Sequence, residues 1–214
     1  MAEHIALLGD SIFDNAAYTQ GLPDVVTHLR RMVPAGTTAT LLAVDGSTTA
    51  DVQKQVAQLP SDVSRAAVSM GGNDAILHAD ALDLPVTSTR EALAMFGERS
   101  AKFEASYRAA LAEVVGRVPQ TAVCTIYNAN LPGEAAALAH VGLMMFNDVI
   151  LRVAFEAGLP VIDLRLVCVD PADYANELEP SSQGAEKIAK SIAAAPGFAT
   201  GTPAVSSIFA ATTA

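Results

Sequence analysis

The chain has few of the residues that build disulfide frameworks or nucleic-acid interfaces. Its 214 residues include two cysteines, Cys124 and Cys168, which are too few for the disulfide scaffold of a secreted domain. Lys and Arg together number 13 against 23 Asp and Glu, so the net charge is −10. A nucleic-acid partner would require a basic face, and an anionic membrane surface would repel this chain. We therefore expect neither partner.

Long apolar runs and targeting signals are also missing. Hydrophobic residues make up 51% of the chain and charged residues 17%, yet no uninterrupted apolar stretch approaches the roughly 20 residues of a membrane span. The N-terminal segment MAEHIALLGDS has neither the basic start nor the long apolar core of a signal peptide. Together with the two cysteines, these features predict a reducing, cytoplasmic location.

What the chain does have is an alternation of short apolar runs with helical patterns. Apolar residues at helical spacing predict helices that start near Val25, at 51–59, around Phe103 to Val114, at 141–155 and around Ala185 to Ile192. This β-α alternation predicts a parallel sheet with helices on both faces. The five apolar runs that read as strands are residues 5–8, 40–44, 66–70, 122–127 and 159–163.

No linker or internal repeat divides the chain, so we predict one domain over residues 1–195. Residues 196–214 are rich in Gly, Ala, Ser and Thr and carry no charge, which predicts a loosely packed C-terminal extension. Substrate specificity is expected to reside in loops at 75–100, 128–140 and 164–178. The sequence gives no indication of the oligomeric state.

Chemistry is expected at the carboxyl ends of the strands, where open parallel sheets bind their ligands. Ser11 follows the first strand in the segment GDSIFDN, Gly46 follows the second, and Asn73 follows the third in the segment GGND. Acyl transfer needs an exposed serine and donors that converge on the developing oxyanion. A backbone N–H at a glycine and an asparagine amide supply such donors.

These segments resemble those of the SGNH (GDSL-like) hydrolase family when taken in this order, together with the segment EPSSQG before the last helix. The resemblance covers residues 5–195. It implies a three-layer α/β/α, flavodoxin-like fold with strand order 2-1-3-4-5. It also implies ester hydrolysis through an acyl-enzyme without metal or organic cofactor. Ser11 is then the nucleophile, and the oxyanion hole consists of the Ser11 N–H, the Gly46 N–H and the Asn73 side chain.

One segment departs from the family pattern. The last block of the family reads Asp-x-x-His-Pro-Ser, and in the same register this chain has Asn176 at the aspartate position and Glu179 at the histidine position. We predict that Glu179 replaces the histidine as the general base. A carboxylate base needs no second carboxylate to orient it, and the neutral Asn176 is expected to donate a hydrogen bond to it.

Other assignments remain open at this stage. Ser11 is compatible with a simple turn cap, and Glu179 with a solvated loop carboxylate. His78 and Asp14 are alternative bases, while Asp10, Asp14 and Asn176 are expected to support the site. The leading function is hydrolysis of small, short-acyl or acetyl esters. The alternative is a binding or regulatory module without turnover. A nucleotide-binding domain is disfavoured because the chain has no G-x-x-x-x-G-K-[ST] run and no G-x-G-x-x-G after a strand.

Overall fold

Five parallel strands form the centre of the computed structural model, which describes residues 3–195. The spatial order is β2-β1-β3-β4-β5, so the predicted order 2-1-3-4-5 is confirmed. All neighbouring strands pair in parallel. The strands are β1 (His4–Gly9), β2 (Thr38–Leu41), β3 (Arg65–Ser69), β4 (Thr121–Cys124) and β5 (Val161–Ile162).

Residues 3–195 form six α-helices, and those that pack on the sheet cover both of its faces, as the alternation predicted. Successive side chains of β1 point to opposite faces. Ile5 and Leu7 belong to one core cluster, and Ala6 and Leu8 belong to the other. The first cluster includes buried residues of α1 and α6, and the second those of α2, α4 and α5. The helices are α1 (Val25–Met32), α2 (Val52–Val56), α3 (Gly72–Leu77), α4 (Thr89–Arg117), α5 (Gly133–Glu156) and α6 (Ser182–Ala194).

Two of the predicted loops are largely helical, so that part of the prediction was wrong. The segment 75–100 contains the second half of α3 and the first turns of α4, and the segment 128–140 contains the start of α5. The buried residues of α4 begin at Phe103, so its first half lacks the apolar repeat that marks a helix in the sequence. The walls beside the strand ends are therefore helices rather than loops.

Helix α5 is long and apolar. Among residues 3–195 it alone has the length and composition of a membrane span, with a mean hydropathy of 1.5. Core helices of soluble proteins meet the same criterion. Its residues Phe146, Val149 and Ile150 pack into the second core cluster. The predicted extension at 196–214 lies outside the described residues.

Candidate active site

Ser11 lies in a tight turn directly after β1. The strand ends at Gly9, whose φ of +126° suits glycine, and a Cβ there would overlap the carbonyl oxygen of Ser69 on β3. The chain then turns sharply, because the Asp10 carbonyl accepts hydrogen bonds from the N–H groups of Phe13 and Asp14 at 3.1 Å each. This turn places the Ser11 hydroxyl at the carboxyl edge of the sheet.

The hydroxyl of Ser11 faces the residue at the family's histidine position. Ser11 Oγ donates a hydrogen bond to Glu179 Oε1 at 3.1 Å. The other carboxylate oxygen, Glu179 Oε2, is buried and has no hydrogen-bond partner among the described residues. Burial raises the pKa of Glu179, the Ser11 hydrogen bond opposes that shift, and the charge of Asp45 adds to it. Glu179 is thus a stronger base than an exposed glutamate.

The loop that carries Glu179 is fixed by hydrogen bonds to its backbone carbonyls. The Glu179 carbonyl accepts the Ala175 N–H at 2.8 Å. Asn15 donates its side-chain amide to the Pro180 carbonyl at 3.1 Å, and Tyr127 donates its hydroxyl to the Leu178 carbonyl. These contacts hold the loop before α6 against the turn that carries Ser11.

Asn176 acts differently from what the sequence suggested. Its Oδ1 accepts the N–H groups of Leu178 and Glu179, each at 2.8 Å. The expectation that Asn176 donates a hydrogen bond to the Glu179 carboxylate was therefore wrong. Asn176 shapes the backbone around Glu179, as short polar side chains commonly do in turns.

The predicted oxyanion donors lie around the same strand ends. Asn73, near the start of α3, donates its amide to the Ser47 carbonyl at 2.9 Å, which uses one of its two N–H bonds. Gly46 stands at φ +78° next to Ser47. Within residues 3–195, the N–H groups of Ser11 and Gly46 donate to no protein acceptor. Ser11 and Asn73 line one cavity with Glu179, whereas Gly46 lies outside its lining.

Asp10 adds a second carboxyl group beside Ser11. It is 3% exposed, and its Oδ1 accepts the Ile12 N–H at 3.2 Å. Burial, with smaller contributions from the charges of Glu179 and Asp74, raises the pKa of Asp10 to about 7, although the hydrogen bond from the Ile12 N–H opposes the shift. Near neutral pH, protonated and ionised forms of Asp10 therefore coexist.

The remaining candidates are occupied elsewhere. Asp14 accepts the Asp45 N–H at 3.0 Å, and Asp74 holds the backbone and hydroxyl of Thr49 at 3.1 and 2.6 Å. The Nδ1 atom of His78 lies 3.2 Å from Arg99. Neither Asp14 nor His78 contacts the Ser11 hydroxyl. Over residues 3–195, no group of three or more His, Cys, Asp or Glu side chains is arranged to hold a metal ion.

Gln55, which was not identified from the sequence, supports the turn that carries Ser11. Gln55 on α2 is 2% exposed, and its amide pairs with both the N–H and the carbonyl of Gly9 at 2.8 Å. This double contact ties the end of β1 to α2. The sequence carries one signal for it, because Gln55 stands among Val52 and Val56 on the buried face of a short helix.

The site opens into a cavity of about 450 Å³. Its walls come from α3, α4 and α5 and are mostly apolar, with Ile76, Phe96 and Phe146 among them. A second cavity of about 550 Å³ also borders Glu179 and is lined mainly by residues with polar groups, including Tyr18 and Asn130. Leu178 and Glu179 line both cavities.

Comparisons with known proteins concern the family and the fold of the chain. A model of the GDSL-like lipase/acylhydrolase family matches residues 7–187. The comparison with curated proteins gave no match.

Among solved structures, the chain resembles an extracellular lipase from Streptomyces rimosus, at 18% identity and a TM-score of 0.60 over 87% of this chain and 96% of that one. An acetylxylan esterase from Geobacillus stearothermophilus matches at 18% identity and a TM-score of 0.63, over 89% and 92%. An α/β hydrolase enzyme from the metagenome of Lake Arreo, Spain, matches at 21% identity and 0.63, over 92% and 95%. At these identities the likeness concerns the fold.

Proposed function

The chain belongs to the GDSL-like lipase/acylhydrolase family of carboxylic ester hydrolases, and we propose that it cleaves esters through an acyl-enzyme on Ser11 with Glu179 as the general base. The observation that carries this proposal is the 3.1 Å hydrogen bond from Ser11 Oγ to Glu179 Oε1. Two of the matched structures are catalytic mutants of the acetylxylan esterase, one at a serine and one at a histidine. In this chain a glutamate stands where the family has its histidine.

The reaction proceeds in two halves. Ser11 Oγ attacks the ester carbonyl carbon while Glu179 Oε1 takes the hydroxyl proton. The tetrahedral oxyanion accepts hydrogen bonds from the Ser11 N–H, the Gly46 N–H and the Asn73 amide. When the intermediate collapses, the ester C–O bond breaks and the leaving alcohol takes the proton from Glu179. A water molecule then attacks the acyl-serine and gives a proton to Glu179. When the bond between the acyl carbon and Ser11 Oγ breaks, Ser11 Oγ takes that proton from Glu179 and the carboxylic acid is released.

The replacement of histidine lowers the basicity available for this reaction. An ordinary glutamate has a pKa of about 4.3 against about 6.5 for histidine, which corresponds to roughly 3 kcal/mol. Burial raises the pKa of Glu179 and so offsets part of that difference. We expect slow turnover of ordinary esters and faster turnover of activated esters with good leaving groups.

A short-acyl or acetyl ester is the substrate predicted from the sequence, and it serves as the first test substrate. The assay compares wild type, Ser11→Ala and Glu179→Gln on an activated acetyl ester. The control is Glu113→Gln, which changes an exposed carboxylate on α4 outside both cavities. We expect loss of turnover in the first two variants and wild-type turnover in the control.

The pH profile separates Glu179 from other bases. In wild type, kcat/KM should rise with pH as Glu179 ionises, with a midpoint above the pKa of an ordinary glutamate. In Glu179→His that midpoint should move toward about 6.5. Full activity in Glu179→Gln would place the base elsewhere.

Labelling of Ser11 by a fluorophosphonate probe gives an independent measurement. An activated serine is labelled, and Ser11→Ala is the blank. If wild type is neither labelled nor active on any ester, the alternative of a binding module without turnover replaces this proposal.

A further inference from the structure

Two cavities border Glu179, the residue that handles the proton of the leaving alcohol: an apolar cavity, lined mostly by apolar residues, and a polar cavity, most of whose lining residues carry polar groups. The apolar cavity contains Ser11 and the polar cavity does not, while Glu179 lines both. We infer that the substrate class is an ester of a medium-chain apolar acid with a neutral, polyhydroxylated alcohol. The acyl chain occupies the apolar cavity and the alcohol occupies the polar one. This inference rests on the proposed function of Ser11 and Glu179.

The apolar cavity suits an acyl chain longer than acetyl. Its volume of about 450 Å³ lies within the roughly 300–1,000 Å³ of sites that bind drug-sized ligands. An acetyl group would leave most of it unfilled. Leu82 and Leu138 line the cavity and are 51% and 47% exposed, so its apolar surface continues out to solvent. A flexible chain can therefore enter from outside and bury its methylenes along α5.

The charged groups in this cavity do not favour a charged acyl chain. Arg99 is the single Lys or Arg among the described lining residues. Its guanidinium pairs with both carboxylate oxygens of Asp80, at 2.7 and 2.9 Å, and also contacts His78. Because this positive charge is already paired with a carboxylate, a carboxylate or phosphate on the acyl chain would find little net attraction there.

The polar cavity suits hydroxyl groups and excludes anions. Asn130, Asn176, Tyr18 and Tyr174 line it and offer amides and aromatic faces. No Lys or Arg appears among its described lining residues, whereas Glu177 contributes a carboxylate in addition to that of Glu179. The hydroxyl of Tyr18 also donates to Asp45 Oδ2 at 2.7 Å, which adds a third carboxylate at the edge. A phosphate-bearing alcohol would meet like charge on this side, and a glycerol or sugar unit would not.

The acyl half of the inference is tested at Gly142. This residue lies in α5, lines the apolar cavity, and a Cβ built on it has nothing within 4 Å. Gly142→Phe should therefore fold, narrow the cavity and, since glycine is a poor helix former, not weaken α5. Gly97→Phe is the matched control, because Gly97 is an exposed glycine of α4 with open space around it and does not line the cavity. Gly142→Leu is a smaller second variant.

The assay measures kcat/KM on butyryl and octanoyl monoesters of glycerol below their micellar concentrations. Burial of a methylene raises binding by up to roughly fourfold, so wild type should prefer octanoyl by roughly tenfold to 100-fold. Gly142→Phe should lower the ratio of octanoyl to butyryl kcat/KM, while Gly97→Phe should leave that ratio at the wild-type value. Equal turnover of both esters by wild type, or an unchanged preference in both Gly142 variants, would overturn the inference.

The alcohol half is tested with substrates that differ by one phosphate. Wild type should hydrolyse octanoylglycerol at least about tenfold faster than octanoylglycerol phosphate at low salt, because the phosphate faces Glu177 without a cation nearby. Glu177→Lys should reduce this ratio, and Glu113→Lys should not. An octanoyl glucose ester distinguishes a sugar from a glycerol unit. Equal rates with and without the phosphate would overturn this half.

The outcomes also separate this inference from the function on which it rests. If Ser11 is labelled and the activated acetyl ester is cleaved, but neither the octanoyl preference nor the phosphate discrimination is found, the substrate class is wrong and the mechanism stands. If Ser11 is unlabelled and no ester is cleaved, both the substrate class and the proposed mechanism are refuted.

Discussion

Replacing Asp10 with asparagine tests whether burial raises the pKa of the carboxyl group next to Ser11. Asp10 is 3% exposed, and burial raises its pKa from 3.8 to about 7. Because the pKa of the folded state is above that of the unfolded state, the protonated form stabilises the fold. That contribution is complete below pH 3.8 and is lost as the pH rises through about 7. An asparagine is neutral throughout and keeps an oxygen that can accept the Ile12 N–H.

The magnitude follows from the difference between the two pKa values. About 3 pH units at about 1.36 kcal/mol per unit give about 4 kcal/mol of stability lost by wild type at pH 8. At pH 5 the loss is smaller, since most of the folded protein still holds the proton. We expect Asp10→Asn to be more stable than wild type by about 4 kcal/mol at pH 8, and this gain to shrink by about 3 kcal/mol at pH 5.

Urea unfolding followed by circular dichroism at the two pH values measures this difference. The control is Asp83→Asn, an exposed aspartate whose replacement should change stability by no more than about 0.5 kcal/mol at either pH. If the gain of Asp10→Asn is the same at pH 5 and pH 8, the carboxyl group does not titrate as burial requires. A variant less stable than wild type at pH 8 would refute the reasoning outright.

Three further predictions concern the contacts that hold the site. Gly184→Ala should lower the unfolding free energy by about 3 kcal/mol or more, measured in urea, because the new Cβ would overlap the Asp173 carbonyl oxygen. Gln55→Leu leaves the Gly9 N–H without its partner, while the Gly9 carbonyl still accepts the Val44 N–H, and should cost about 1–3 kcal/mol, measured by thermal unfolding. Asn73→Ala should reduce kcat by roughly 10²–10³ while probe labelling of the serine persists, and an unchanged kcat would remove it from the mechanism.

The sheet could be predicted because its strands are short apolar runs that recur between helical patterns. The resemblance of the strand-end segments to one family then implied the strand order, which the structure confirms. The predicted ends of the strands were less accurate. The run at 159–163 contains only a two-residue strand, Val161–Ile162, because pairing depends on the neighbouring strand as well as on local apolar character.

The helical walls of the site were missed for a physical reason. The first half of α4 and the start of α5 bury few residues. Their apolar residues therefore show no strong repeat at helical spacing. Leu93 on α4 is 72% exposed and Leu138 on α5 is 47% exposed. Exposed apolar residues of this kind break the pattern that marks a helix. Leu138 and Phe96 of these segments line the apolar cavity, so the substrate side of the site could not be derived from periodicity.

The catalytic residues were easier to predict from the sequence, because parallel strands bring their carboxyl ends to one edge of the sheet. The meeting of Ser11 with Glu179 follows from that geometry and from the register of the last block. The burial of Asp10 and the double contact of Gln55 depend on packing between distant segments, which no local pattern records. The cytoplasmic location and the division at residue 195 stay predictions.

The contacts of Glu179 indicate how a carboxylate can take the place of an imidazole in this fold. An imidazole base needs a carboxylate to fix its tautomer and to stabilise its cation. A glutamate has no tautomer to fix, but it must be oriented and partly desolvated. Here backbone contacts orient it, since its N–H binds Asn176 Oδ1 and its carbonyl accepts the Ala175 N–H. Burial desolvates the Glu179 carboxylate and leaves Oε2 without a hydrogen-bond partner among the described residues. The carboxylate that accepts the Ser11 proton therefore keeps a negative charge that no neighbouring group within residues 3–195 neutralises. An aspartate at 176 would place a second negative charge beside that acceptor, and a neutral asparagine gives the same backbone geometry without it.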